Sequence, residues 1–157
     1  PNLVLKLNDN AKANLNLKTE TFKLINNNTS TLKINSKSRL NIESKLVDLQ
    51  LNESSSTEAL ITCDSLKLDM YQRSYAKIEG DVLLLKANTI NSTDFVGKNL
   101  SVDRCEIIAE DSSDFSIQSL EEIIIEASGS SEVFIYGNPE ITIKKFSDSA
   151  KLHKKEL

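Results

Sequence analysis

The feature that most constrains this 157-residue chain is a repeated alternation of apolar and polar residues in short runs. A period of two places successive side chains on opposite faces, which is the pattern of strands and not of helices. Ile123 to Lys145, IIIEASGSSEVFIYGNPEITIKK, shows the repeating unit most clearly. Ile123/Ile125 and Val133/Ile135 flank the small polar corner Ser128-Gly129-Ser130-Ser131, and Ile141/Ile143 follow Asn138-Pro139. Strand, corner, strand, corner, strand is one coil of a β-solenoid, whose repeats bury their apolar face only by stacking.

The rest of the chain aligns to this unit. Taking the second inward residue of each pair as an anchor gives Leu7, Leu24, Leu51, Leu68, Leu85, Ile107, Ile125 and Ile143. The commonest step is about 17 residues. Two residues earlier stand Leu5, Phe22, Leu49, Leu66, Leu83, Cys105, Ile123 and Ile141. A second apolar column follows about ten residues after each anchor: Leu17, Ile34, Ile61, Ile78, Phe95, Ile117, Ile135 and Leu152. A third column of small residues, Ala13, Ser30, Thr57, Ser74, Asn91, Ser113, Ser131 and Ser149, marks a tight corner. Its hydroxyls are expected to bond along the stack. Two longer steps carry the extra pairs Leu40/Ile42 and Leu100/Val102, expected to add a third short strand to their coils. The fold class that follows is all-β: a right-handed parallel β-helix of roughly eight short coils, with its hand taken from the preference of parallel crossovers. At about 4.8 Å per coil the rod is near 35–40 Å long. A β-sandwich is the rival, but it has no need of corners in register.

Composition narrows the function. Leu, Ile and Val supply most of an apolar fraction of 39 %, and Asn and Ser suit many turns. No apolar run is long enough to span a membrane as a helix. The chain starts at Pro1, without Met or a signal peptide, which reads as a processed or trimmed chain. The net charge is -4. Acids crowd the middle and lysines the end, where Lys151 to Leu157 reads as a solvated tail or a cap. An acidic body with few aromatics argues against a nucleic-acid binder. Cys63 and Cys105 lack metal-ligand spacing and, more than two coils apart, are expected to be separate thiols.

No constellation forces a reaction, a cofactor or a metal. Asp114 and Glu132 fall in one corner column on adjacent coils, with Glu58 remote in the same column and no cation beside them. They read as solvated carboxylates. His153, in the basic tail, is not placed to serve a triad. Tyr71, Tyr75 and Tyr136 form no single stripe for sugars. The outward residues of the first column run Lys6, Lys23, Gln50, Lys67, Leu84, Glu106, Ile124 and Thr142, and Leu60 and Phe134 point outward on the second. Leu84, Ile124 and Phe134 are the candidate interaction surface.

Ser128 to Pro139, SGSSEVFIYGNP, followed by Lys145 to Ala150, KFSDSA, resembles the end of the head-GIN domain, a family named for auto-transporter adhesins. Asn, Thr and Asp replace most of the family's corner glycines here. The resemblance implies a right-handed parallel β-helix, a place in the cell envelope or outside the cell, and no known enzymatic activity. The reading is therefore one β-solenoid domain over residues 1–157, a non-enzymatic envelope or surface protein that serves adhesion or structure. The expected partner is a protein or glycan at the cell surface, with weak homo-oligomerisation and no nucleic acid. The alternative is a polysaccharide-active lyase or hydrolase on the same scaffold.

Overall fold

The computed structural model describes residues 2–14, 20–28, 31–33 and 42–156. Among them there are strands and no helix: β1 (Asn2–Leu7), β2 (Lys12–Asn14), β3 (Thr21–Asn26), β4 (Thr31–Lys33), β5 (Ile42–Leu51), β6 (Ser56–Tyr71), β7 (Tyr75–Ile90), β8 (Asp94–Glu110), β9 (Asp114–Ala127), β10 (Glu132–Tyr136), β11 (Glu140–Phe146) and β12 (Lys151–Lys155). The strands pair in parallel and stack as a β-solenoid of about seven turns. The first face is the ladder β1-β3-β5-β6-β7-β8-β9-β11. The second face runs through β2, β4, the opening residues of β6 to β9, then β10 and β12.

A third face exists as well, and not only where the chain is longer. Ile61/Cys63, Gly80/Val82 and Leu100/Val102 stack on it in successive coils. Ile42 lies at its lower end, whereas Leu40, Leu17, Ile34 and Ser30 lie outside the described residues. Gly80 makes the bend into this face. Its φ is +121°, and a Cβ there would sit 2.1 Å from the carbonyl oxygen of Ile61. Only glycine lets the two backbones approach so closely.

The coil length differs from the 17-residue step. Side chains hydrogen-bonded across neighbouring coils, Asn8 with Asn27 and Asp69 with Asn88, are 19 residues apart. The longer coil separates Lys23 from Asp48 by 25. The inward columns of the first face are Leu3-Phe22-Val47-Leu66-Leu85-Cys105-Ile123-Ile141 and Leu5-Leu24-Leu49-Leu68-Ala87-Ile107-Ile125-Ile143. Leu7, Leu51 and Leu85 thus sit one inward position away from the column predicted for them. Leu83, expected inward, is 55 % exposed at the bend between the third and first faces. On the second face Thr57, Ala76, Phe95, Phe115, Val133 and Leu152 form one column. Ala59, Ile78, Ile117 and Ile135 belong to the next. Phe95 and Phe115 stack with ring centroids 4.5 Å apart, and Gly97 gives Phe95 room.

The corner between the first and second faces is built from residues with positive φ: Asp9, Asn28, Glu53/Ser54, Gln72/Arg73, Asn91/Ser92, Asp111/Ser112, Gly129 and Asp148. Backbone bonds continue through it from coil to coil, as in Ser54 N to Gln72 O at 2.9 Å and Arg73 N to Asn91 O at 2.9 Å. Asn, Asp and Gly tolerate this conformation best. The small residues that close the corner are Ser55, Ser74, Thr93, Ser113, Ser131 and Ala150, each bonded through its carbonyl or amide neighbour to the next coil. Ser149 therefore lies one position off, and Thr57 and Asn91 two. Among Ser55, Ser74, Thr93, Ser113 and Ser131 no hydroxyl bonds to the next along the stack. Ser113 Oγ donates instead to Glu110 O at 2.6 Å, while those of Ser55, Ser74, Thr93 and Ser131 are buried without a partner.

Cys63 and Cys105 are both buried and unbridged, on different faces two coils apart. Burial, reinforced by Asp64, pushes the Cys63 thiol up to about 12, and burial raises Cys105 as well, so neither is a reactive thiolate. The basic tail is not a loose one. Lys151–Lys155 is β12, paired parallel to β10. At this end Ile143 and Phe146 are 50 % and 43 % exposed.

Two stability measurements test this packing. Ile125 is fully buried, so Ile125→Ala is expected to cost about 2–5 kcal/mol in urea melts, against under about 0.5 kcal/mol for the exposed Lys67→Ala. Thr93→Val removes a buried hydroxyl that has no partner and is expected to be neutral or stabilising, whereas Ser113→Ala loses a hydrogen bond and costs about 1 kcal/mol.

Candidate functional site

Parallel pairing turns each outward position into a column of side chains at the coil spacing. The most charged column outside the first face stands just past the positive-φ corner: Ser56, Tyr75, Asp94, Asp114, Glu132, Lys151. Asp114 and Glu132 are neighbours, as the sequence predicts. Three features differ from that reading. Asp94 is a third acid, directly beside Asp114. Glu58 is absent from the column, since it pairs with Lys77. A cation does stand there: Lys151 Nζ is 2.7 Å from Glu132 Oε1. His153 is also held, because β12 carries it over β10. Its ring stacks on Phe134 at 4.6 Å and 10°, with Nε2 3.2 Å from Glu132 Oε2.

These neighbours separate the carboxylates electrostatically. Burial, then the charge of Asp114, pushes Asp94 above the usual carboxylate range. Burial, then Glu132, raises Asp114, with Lys151 opposing. The hydrogen bond from Lys151 lowers Glu132, and His153 adds to it. Among the described residues no group of three His, Cys, Asp or Glu is arranged to hold a metal ion.

The three predicted surface residues are all half-buried and are not brought together. Leu84 stands beside Arg104 on the first face, in the column next to Ile124 and two coils away from it. Ile124 follows Lys67, Lys86 and Glu106 up its own column, not Gln50 and Leu84. Phe134 belongs to the second face, between Ser116 and His153. The first face around the two aliphatics is ion-paired: Lys23 with Asp48 at 3.0 Å, Lys67 with Asp69 at 2.9 Å, and Glu106 with both Lys86 and Lys144 at 3.3 Å.

A stretch that sequence reasoning missed is the bend between the third and first faces. There Leu83 and Leu120, 55 % and 46 % exposed, stand among Asp64, Asp81 and Asp103 along a shallow open groove of about 310 Å³. An anchor shifted by one inward position counted Leu83 as core, which hid the groove.

A family profile described as "putative auto-transporter adhesin, head GIN domain" matches residues 2–139. The chain belongs to the head GIN domain family. The match covers every coil of the stack below β11, far more than the C-terminal third in which the resemblance is most specific, and it stops short of Lys145–Ala150. The curated proteins contain no match to this head GIN chain. No helix of the described residues is long and apolar enough to cross a membrane.

The charge column of this head GIN chain predicts a pH response with two signs. A carboxyl raised in the folded state holds its proton more tightly than in the unfolded state, so stability falls as pH rises from the ordinary carboxylate range through the raised value. Asp94→Asn is expected to flatten that decline and raise the melting temperature at neutral pH relative to the parent. Glu132, lowered in the fold, stabilises above its unfolded value and loses that contribution as pH falls through the lowered one. Glu132→Gln is expected to remove this loss in melts followed from neutral to strongly acidic pH.

Proposed function

We propose that the chain is a non-enzymatic binding module of the cell surface or envelope that holds its partner on the outer faces of the solenoid. The adhesin description of its family supports this reading, and the ion-paired first face carries it. Side chains in registered columns give a partner a repeating lattice of contacts, whereas catalysis needs groups converging on one bond. Ile124 and Leu84 are the aliphatic contacts of the first face and Phe134 that of the second; residues of this kind support modest association when buried by a partner.

A polysaccharide-active reading draws on one observation: Asp114 and Glu132 are adjacent, with the first raised and the second lowered. Such separation is how acid and base roles are assigned in glycosidases. Against it, Glu132 is already engaged by Lys151 and His153, and the column stands on an open corner.

Binding of the purified chain to surface proteins and a glycan array, beside turnover on acidic and neutral polysaccharides, separates the two. The expected result is partner capture that falls on Ile124→Ser, Leu84→Ser or Phe134→Ser with the fold intact, and no turnover. Turnover that disappears in Asp114→Asn or Glu132→Gln would establish the enzyme instead.

A further inference from the structure

The groove at the bend between the third and first faces has a regular construction. Cys63 pairs with Val82 and Ser65 with Leu84, which sets Asp64 beside Leu83. Val82 pairs with Val102 and Leu84 with Arg104, which sets Leu83 beside Asp103. Val102 pairs with Ser119 and Arg104 with Glu122, which brings Leu120 next in line. The stripe therefore alternates Asp64, Leu83, Asp103, Leu120 up four successive coils, with Asp81 flanking it.

Two features mark this stripe. Its leucines are among the most exposed large apolar residues of the chain. Its aspartates have no ion pair among the described residues, whereas the acids Asp48, Asp69 and Glu106 of the first face are each held by lysine. No lysine or arginine lines the groove itself; Lys45, beside Asp64 one coil below, stands at its lower end without an ion pair to it.

We propose that this stripe docks a basic, extended polypeptide segment of another protein, with lysine or arginine and apolar side chains recurring at about three-residue intervals. This deepens the binding-module reading and rests on it. Charge complementarity selects the partner: unpaired carboxylates attract cations and repel anionic lipid surfaces and nucleic acids. Spacing selects its conformation. Like residues of the stripe recur every second coil, about 10 Å apart. A polyproline-type chain advances about 3.1 Å per residue with three residues per turn, so every third side chain faces the same way after about 9 Å. Strand addition is not open to this partner, since β6, β7 and β8 are paired on both sides here. A second copy of the chain is a poorer occupant. Its lysines at the C-terminal end are already engaged, Lys144 with Glu106, Lys145 with Glu110 and Lys151 with Glu132.

The test uses a labelled peptide of four Lys-Pro-Leu repeats, with a Glu-Pro-Leu peptide as control, titrated into the intact chain by fluorescence anisotropy. Binding of the lysine peptide alone is expected, weakening with salt. It should fall by about tenfold or more in Asp64→Asn/Asp103→Asn and in Leu83→Ser/Leu120→Ser, but not in the exposed control Val4→Ser. All these positions are on the surface, and circular dichroism of each variant checks the fold. Equal binding of the two peptides, or loss in Ile124→Ser alone, would overturn the groove while leaving a first-face binding module standing. Sedimentation showing self-association that disappears in Asp64→Asn/Asp103→Asn would assign the groove to a second copy and overturn the foreign partner. Failure of the wider binding reading appears separately, as absent capture by every surface of the chain.

Discussion

Everything in this molecule hangs on the parallel backbone ladder being carried without a break around the corner between the first and second faces. A parallel strand pair cannot be closed by a tight hairpin, and the chain must circle before it returns. Here the circuit is so short that the turn itself has to stack. Residues such as Gln72, Arg73 and Ser92 take up positive φ, and their amides bond to the coil above. The left-handed conformation costs a non-glycine residue about 1–2 kcal/mol, and the bonds between stacked turns offset that cost. Once this corner is fixed, the register of all three faces is fixed with it.

That dependence explains what was legible in the chain. The fold class was readable because alternation and repetition are both written in the order of residues. The exact register was not, because each first-face strand carries three inward positions, as in Val47/Leu49/Leu51 or Leu66/Leu68/Met70. A slip of two residues keeps every side chain on its face, so Leu7 and Leu51 fit the wrong column as well as the right one. Where the inward residue is Ala87, Ala109 or Ala127, the apolar pair looks displaced. The corner holds the information that breaks the tie. Lining up Asn8-Asp9, Asn27-Asn28, Asn52-Glu53 and Glu110-Asp111 gives the observed coil, because left-handed turns favour Asn, Asp and Gly over hydroxyl residues.

The surface was legible only where the register was. Asp114 and Glu132 lie in coils whose anchors were right, and they do meet. Asp94, one coil lower, was missed because Phe95 had been set against Ile78 and Ile117 instead of Ala76 and Phe115. Lys151 and His153 were missed for another reason. A run of lysines at a chain end looks like a solvated tail, and only β10 beneath it shows that alternate residues of Lys151–Lys155 continue the second face. Outward residues carry little periodic signal of their own, so they inherit any error in the inward ones.

The direction of the ladder has a mechanical consequence. In a stack of coils the inter-strand hydrogen bonds lie along the axis, and each coil touches only its neighbours. Tension applied along that axis loads one rung at a time, so coils peel away in sequence from an end at low force. Tension applied across a face drags many rungs together in shear, and they resist as a group. A load borne sideways by the first face, where Glu106 of β8 ties Lys86 of β7 to Lys144 of β11, is therefore shared through the stack. A load passed along the rod from β1 to β12 is not.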